Sequence, residues 1–421
     1  MRMSPSDSST IRHETLANGM TLVVEQMPWL ESAAFALLTP SGSASDSKTQ
    51  VGVSNLLCDW TQRGCGNRDS RQFIEDLDNL GVSRGAGVST SHTSFGGAVL
   101  AENLGRTLAI YADVVQKPHL PEDEFDEAQL VCLQELRALE DDLAQQSMLQ
   151  LRKQVYADPW GRASYGDVAS VEALTAEIAK AHFAASYRPN GTILAIAGNI
   201  DWNQTRDDVL RLFGDWKMAA ESPIVETPAE GIYCHLPFDS NQTHIGVGYE
   251  CVPYSHPDYF LARAAVGVLS DGMSSRLFTE VRENRGLCYT VFASINTLLD
   301  RASVLCYAGT STERAQETLD VLMSELVRIR EGIEESELTR LKARIKSSLV
   351  MQQESSSSRA SSLASDWRHL GRVRTLDELT SILDGLTCDS INRYLQDNPP
   401  HDFRFTTVGA EKLEIPVAVS P

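Results

Sequence analysis

Apolar runs in the first half of the chain predict β-strands, and runs with a period near 3.6 residues predict helices. The strand-like runs cover residues 21–27, 33–40, 95–101 and 192–198, and helical periodicity covers 73–80, 104–116 and 122–142. Because strand runs and helix runs are grouped rather than strictly alternating, the pattern favours an α+β sandwich of a sheet and helices. The serine-rich segment 355–365 lies between helical patterns and is interpreted as a loosened helix or a loop.

The second half of the chain repeats the pattern of the first. The run "LPEDEFDEAQLVCLQELRALEDD" is matched by "IEESELTRLKARIKSSLVMQQES", and a later helix-and-strand run follows each of them. Phe125 and Gly198 are 73 residues apart, and Leu338 and Gly409 are 71 apart. This matched spacing predicts a duplicated domain, although amphipathic helices also resemble one another by chance. The polar, proline-containing segment 217–231 is interpreted as a linker between domains at 1–216 and 232–421.

Composition narrows the function classes. The chain has 421 residues, 42% of them apolar and 22% charged, and a net charge of −20, so a nucleic-acid partner would be repelled. Residues 1–19 lack the apolar core of a secretory signal, and no apolar run approaches the roughly 18 residues of a membrane span. The eight cysteines form no C-x-x-C pair, which argues against a disulfide framework or a zinc–thiolate cluster. We therefore expect a cytoplasmic protein.

Chemistry-bearing side chains cluster in the stretch "VGVSNLLCDW" at 51–60. Its apolar residues follow one face of a helix, and Asn55, Cys58 and Asp59 share another surface at i, i+3 and i+4. A second carboxylate, Glu135, lies within the apolar stripe of the helix predicted from 122 onward. A carboxylate facing a core is costly unless it is paired or metal-bound, while a side chain at the edge of the stripe would reach water.

These residues resemble the zinc motif of the M16 peptidase family, which includes pitrilysin and the mitochondrial processing peptidase. The family reads G-x-x-H-x-x-E-H, with two histidine ligands and a glutamate base between them. Asn55, Cys58 and Asp59 occupy those three positions, and Glu135, 80 residues after Asn55, matches the third ligand. "YRPNGTILAIAGNI" and "DGMSSRLFTEVRENRGLCYTV" also resemble the family, so the resemblance covers nearly the whole chain. It implies two homologous sandwich domains of the LuxS/MPP-like type.

The departure from the motif bears on function. Hydrolysis in this family needs a zinc ion that activates water and a carboxylate that accepts its proton. Both imidazoles are missing, and no two of the nine histidines are closer than nine residues, so no helical histidine pair exists elsewhere. We therefore expect a degenerate metal site that holds no zinc. After the zinc helix the family also has a strand edge that pairs with substrate, and the stretch from Val88 to Phe95 is the matching edge here.

The second half retains a different family feature. The resemblance implies that an arginine and a tyrosine seven residues apart reach the zinc centre of a partner subunit and bind the substrate carbonyl. Arg282 and Tyr289 match that pair at that spacing. A guanidinium and a phenol are two donors suited to a developing oxyanion. The alternative is that neither residue has a functional role: the arginine is simply exposed at a helix end, and the tyrosine is packed in the core from a strand.

Three hypotheses follow. The leading one is a zinc-less subunit of a heteromeric M16-type metalloendopeptidase, a pseudoenzyme in a heterodimer whose homologous partner has the intact H-x-x-E-H motif, Zn²⁺ and the peptide substrate. The second is a non-enzymatic structural or assembly subunit of a larger complex. The third is an active peptidase with ligation by Cys58, Asp59 and Glu135. A Cys58 nucleophile would need a base, for which His92 is the candidate.

Overall fold

The computed structural model describes residues 10–221, 223–229 and 231–416. The described chain divides into two compact units. The first contains residues 10–137, 162–225 and 349–374, and the second contains 138–161, 226–348 and 375–416. The predicted contiguous domains, 1–216 and 232–421, therefore differ from these units in two exchanged segments, although the chain passes between units inside the predicted linker 217–231. The N-terminal stretch expected to lack a secretory signal lies partly outside the described residues.

The first unit is built on a six-stranded sheet. Its order is β1-β2-β6-β3-β5-β4, and every neighbouring pair is antiparallel except β2 and β6. The strand bounds are β1 Thr10–Thr15, β2 Thr21–Gln26, β3 Ser32–Thr39, β4 Ser83–Val88, β5 Thr93–Leu100 and β6 Ile193–Gly198. Strand β6 is an unbroken apolar run because it is wholly buried, whereas β2 is almost wholly buried but contains Glu25. The four predicted strands are thereby confirmed.

Helices cover this sheet, and the predicted helices at 73–80, 104–116 and 122–142 are confirmed. The bounds are α1 Val53–Trp60, α2 Ser70–Leu80, α3 Leu104–Gln116, α4 Phe125–Asp141, α6 Val168–Glu172, α7 Ala176–Ser186, α8 Trp202–Phe213 and α12 Ser356–Leu370. Helix α2 shows how local sequence fixes such an element. Asp69 caps its N-terminus in a reciprocal pair with Gln72, and Gly81 ends it at a positive φ of 70°.

The second unit has a five-stranded sheet in the order β7-β11-β8-β10-β9. The strand bounds are β7 Tyr233–Pro237, β8 Gln242–Cys251, β9 Cys288–Thr297, β10 Ala302–Ser311 and β11 Arg404–Gly409. The helices of this unit are α5 Leu143–Val155, α9 Tyr259–Ser270, α10 Ala315–Arg328, α11 Glu335–Gln352, α13 Leu376–Gly385 and α14 Cys388–Asp397, with a π-helical turn at Phe278–Glu283.

The two sheets share one topology. The order β2-β6-β3-β5-β4 in the first is repeated as β7-β11-β8-β10-β9 in the second. The one parallel pair is β2 with β6 in the first sheet and β7 with β11 in the second. The matched sequence blocks occupy equivalent places, since α4 corresponds to α11 and β6 to β11. The expected α+β fold with two duplicated domains is confirmed.

Helix α12 is the exchanged element that matters most for the first unit. In sequence α12 comes after strand β10 of the second unit, but it packs on β2, β3 and β6 of the first sheet. Its small residues Ala360 and Ala364 join the buried cluster there, which lets the helix approach the strands closely. The segment 355–365 is therefore a regular helix, capped by Ser355, and not a loosened one. Helix α5 has the equivalent position on β8 and β11 of the second sheet.

A buried ion pair joins α12 to the sheet. Arg359 on α12 donates through Nε to the Glu25 carboxylate on β2 at 2.8 Å, and its Nη2 lies 2.6 Å from the same oxygen. Both residues are at most 5% exposed. An ion pair removed from water in this way is highly sensitive to loss of one partner, so it holds the exchanged helix in register.

Candidate functional site

Helix α1 carries the degenerate motif, and a buried polar network fixes where it begins. Gly52 precedes the helix with φ 96°, and its backbone N–H donates to the Asp46 carboxylate at 2.8 Å. Ser54 donates to the other oxygen of Asp46 at 2.6 Å. A Cβ on residue 52 would lie 2.8 Å from the Tyr165 carbonyl oxygen, so only glycine fits. The motif glycine is thus required by backbone geometry, independently of any metal.

His182 on α7 completes this network, which sequence reasoning missed. Its Nε2 lies 3.2 Å from Ser54 Oγ and 3.7 Å from the Asp46 carboxylate. Burial raises the pKa of Asp46 to about 7 and lowers the pKa of His182 to about 4. Ser54 is fully buried and is no accessible nucleophile. No local pattern links these residues, because 128 positions separate Ser54 from His182.

The structure brings the predicted motif residues together between α1 and α4. Asn55 Nδ2 donates to Glu135 Oε2 at 2.8 Å and lies 3.7 Å from Cys132 Sγ. Asp59 forms an ion pair at 2.7 Å with Arg63, which lies just past the C-terminal end of α1. Each polar group at the former ligand positions therefore already has a partner within the protein.

Two thiols lie beneath this polar layer. Cys58 and Cys132 are both buried. Burial, and after it the charges of the nearby carboxylates Asp59 and Glu135, raise the pKa of each thiol to about 12. Because the thiolate is the nucleophile and the metal ligand, both groups are unreactive near neutral pH. Glu135 itself is exposed, so it lies at the edge of its helical stripe and reaches water.

The residues present do not fit the zinc ion that the M16 resemblance implies. Binding would require Asn55 to release Glu135 and Asp59 to release Arg63. Ligation by Cys58 would also require its thiolate, and burial raises the pKa of this thiol to about 12. Among the described residues, no group of three or more His, Cys, Asp and Glu side chains is placed to hold a metal ion. The position matched to the general base is a protonated thiol.

His92, the candidate base for a Cys58 nucleophile, lies in other surroundings. Its Nδ1 is 2.9 Å from Ser89 Oγ in the turn between β4 and β5. Burial, and after it the charges of Arg368 and His369, lower the pKa of His92 to about 3. Cys58 interacts instead with Asp59, Glu135 and Cys132. The structure therefore does not bring this pair together.

The predicted strand edge is displaced by a few residues. The stretch from Val88 to Phe95 contains the turn at 89–92, whereas the edge strand of the first sheet is β4, Ser83–Val88, which pairs only with β5 among the described strands. Four of its six residues are exposed. An exposed strand with one unpaired edge is available to another extended chain.

The second unit presents the arginine–tyrosine pair on its surface. Arg282 lies in the π-helical turn, and after the positive φ of Gly286 the chain enters β9 with Tyr289. The Arg282 guanidinium carbon is 5.2 Å from the centre of the Tyr289 ring and 4.8 Å from that of Phe278. Phe278 is a further component that sequence reasoning missed, although its spacing of four residues from Arg282 on a helical turn was a usable signal.

The electrostatic setting of this pair leaves its donors available. No ion pair of Arg282 is formed within the described part of the chain, and Tyr289 is 83% exposed. Contacts with the rings of Phe278 and Tyr289 limit the freedom of the Arg282 guanidinium. Because Tyr289 is exposed, it is not a strand tyrosine packed in the core.

The two sheets share one topology, and each is covered by helices. Helix α1 carries the motif with other residues at its ligand positions. Together these features define a duplicated α+β protein of the M16 metallopeptidase type. Comparison with known proteins agrees. Residues 21–167 match the family "Insulinase (Peptidase family M16)", and residues 173–345 match "Peptidase M16 inactive domain". The chain belongs to the M16 family.

Relatives and solved structures match over nearly the full length. An uncharacterized zinc protease of Rickettsia felis is 27% identical over 378 residues, covering 89% of this chain and 92% of the relative. The structure of a peptidase M16 inactive domain from Pseudomonas fluorescens superposes with a TM-score of 0.88 at 20% identity, covering 97% of this chain and 99% of that one. A protease from Helicobacter pylori gives a TM-score of 0.85 at 21% identity, with coverages of 95% and 99%.

Within the described residues, none of the helices combines the length and the apolar character needed to cross a membrane.

Proposed function

We propose that this chain is a non-catalytic subunit of a heteromeric M16-type metalloendopeptidase. Its partner would be a homologous subunit with an intact H-x-x-E-H motif. This chain would close the proteolytic chamber and direct Arg282 and Tyr289 to the partner's zinc site. The observation that carries the proposal is a contrast between two sites. Asn55 and Asp59 of the motif are already bonded to Glu135 and Arg63, whereas Tyr289 is exposed and Arg282, which is half-buried, has no ion pair within the described residues.

The chemistry of the pair suits peptide binding. When a peptide carbonyl is polarised by a metal ion, negative charge develops on its oxygen. A guanidinium and a phenolic hydroxyl both donate hydrogen bonds, and donors fixed in advance stabilise such a charge without reorganising at the moment of reaction. Contacts of the Arg282 guanidinium with the rings of Phe278 and Tyr289 supply that fixed position.

Mixing experiments test the proposal. The chain alone, the H-x-x-E-H partner alone and their mixture are assayed on a fluorogenic peptide. We expect cleavage to require both subunits. Removing one fixed donor typically costs about 10²-fold or more in rate, so Arg282→Ala should lower the activity of the mixture by about two orders of magnitude. Tyr289→Phe should lower it less, because the ring that stacks on Arg282 is kept.

Matched controls lie close by. Arg285→Ala removes an arginine three residues from Arg282 whose guanidinium is engaged by Glu280 at 2.6 Å. Thr290→Ala changes the exposed residue after Tyr289. Neither control should alter cleavage. Full activity of the partner alone, unaffected by Arg282→Ala, would overturn the proposal.

The same variants, together with elemental analysis, separate the two remaining hypotheses. If the chain is a structural subunit, Arg282→Ala and Tyr289→Phe should leave peptide cleavage unchanged. A larger complex should then fail to assemble without the chain. An active peptidase with ligation by Cys58, Asp59 and Glu135 predicts stoichiometric zinc in the purified chain by elemental analysis. The pKa of Cys58, near 12, weighs against that ligation.

A further inference from the structure

A groove of about 480 Å³ lies entirely within the first unit, between one face of its sheet and α12. The floor is formed by neighbouring strands in register, where Ala36 of β3 is opposite Gly96 of β5, and Gly96 is opposite Gly85 of β4. A Cβ on Gly85 would meet no atom within 4 Å. Glycine, alanine and serine residues make up most of the floor, with Phe35, Leu38 and Phe95 beside them. The floor therefore leaves room for a slender chain lying on it.

The wall of the groove is a stripe of α12. Ser357, Ser361, Ser365 and Arg368 line it, and their spacing of four, four and three residues places them on one face of the helix. The three serines are exposed. Each hydroxyl both donates and accepts hydrogen bonds, so the wall matches the alternating N–H and C=O groups of a peptide backbone.

One end of the groove carries a guanidinium, in a chain whose net charge is −20. Arg368 lines it together with His92 and His369. No hydrogen bond or ion pair joins Arg368 to another residue in the described ranges, and burial lowers its pKa. His92 uses Nδ1 for Ser89, which leaves Nε2 for a ligand. A desolvated guanidinium without a counterion is costly, and a carboxylate bound beside it would offset that cost.

We propose that this groove binds an extended peptide segment and that a carboxylate of the peptide is held by Arg368 and His92. The peptide backbone lies along the glycine-rich floor and the serine stripe. The carboxylate comes either from the peptide's C-terminus or from an acidic side chain, and the experiment below separates these sources. The proposal goes beyond the role of Arg282 and Tyr289, because it needs neither a partner subunit nor a metal ion.

Binding to the full chain is measured by fluorescence anisotropy with three N-terminally labelled peptides of Gly, Ala and Ser. One ends in a free carboxylate, the second in an amide, and the third in an amide with one internal glutamate. Hydrogen bonds to charged groups are strong enough to change affinity about tenfold or more. We expect the amide without glutamate to bind at least about tenfold more weakly than one of the two carboxylate peptides.

Two variants and a control assign the effect to the groove. Arg368→Gln should abolish the preference for a carboxylate. Ser361→Trp fills the groove from an exposed helix position and should abolish binding of all three peptides; it also keeps the test decisive if Arg368→Gln fails to fold. Arg71→Gln on α2, whose side chain is 87% exposed, should change nothing.

Equal affinity for all three peptides, no binding of any of them, or an unchanged preference in Arg368→Gln would overturn the proposal. None of these results depends on cleavage by a mixed complex, so this proposal and the proposed function fail separately.

Discussion

Substitution of Arg359 by Met tests whether the exchanged helix is held to the first sheet by its buried ion pair. The side chains of Arg359 and Glu25 are 6% and 2% exposed, and the guanidinium contacts the carboxylate through two nitrogens. Methionine preserves much of the apolar volume of the arginine stem but removes the charge. The Glu25 carboxylate then stays buried on β2 without its partner.

The expected loss follows from that isolated charge. Breaking a buried pair by removing one member costs about 3–5 kcal/mol of folding free energy, whereas replacing both members by apolar residues of similar volume is often neutral. We therefore expect Arg359→Met to lose about 3–5 kcal/mol and Glu25→Met/Arg359→Met to recover most of it. The exposed pair of Arg71 and Glu75 is the control, and Arg71→Met should cost at most about 0.5 kcal/mol.

Tryptophan fluorescence during urea unfolding reports this effect selectively. Of the six tryptophans, all but Trp160 lie in the first unit, so the signal follows the unit that contains α12. The midpoint and slope are compared at equal protein concentration, and a second transition is fitted separately if one appears. A loss below about 1 kcal/mol in Arg359→Met, or a double variant as unstable as the single one, would refute the reasoning.

Two further predictions concern the groove and the former metal site. Burial lowers the folded-state pKa of His92 from 6.5 to about 3, so between those values the unfolded chain binds a proton that the folded chain does not, and stability falls as the pH drops below about 6.5. His92→Gln should flatten this dependence in urea unfolding at pH 7, 6 and 5; an unchanged slope contradicts the assignment. Restoring the motif by Asn55→His, Cys58→Glu and Asp59→His should give about one bound zinc per chain by elemental analysis, with Glu135 as third ligand. Equal zinc in the starting protein and the triple variant would show that the present side chains already suffice.

Much of the fold could be predicted from periodicity. The strand at 192–198 is a nearly continuous apolar run because both of its faces are covered. Helix α3 was bounded correctly at 104–116 because its buried face repeats every three to four residues. The duplication was visible because equivalent blocks retain their spacing. The exchange of α5 and α12 was not visible, since an amphipathic helix specifies that one face is buried but not which sheet buries it.

The candidate site divides in the same way. The positions of Asn55, Cys58 and Asp59 on one helix, and the spacing of Arg282 and Tyr289, are local facts that sequence supplies. The bond from Asn55 to Glu135 spans 80 residues, and nothing local predicted that these two groups would satisfy each other.

The amino-acid sequence by itself determined the α+β class, the internal repeat and the loss of both imidazoles from the M16 motif, because each of these is written in residue type and short-range spacing. Only the tertiary structure decided that Asn55 and Asp59 are bonded to Glu135 and Arg63, that the Arg282 guanidinium contacts the rings of Phe278 and Tyr289, and that Arg368 lies at one end of a groove with a glycine-rich floor. The physical reason is that burial, desolvation and hydrogen-bond pairing depend on neighbours brought together by folding, many of which lie scores or hundreds of residues apart along the chain.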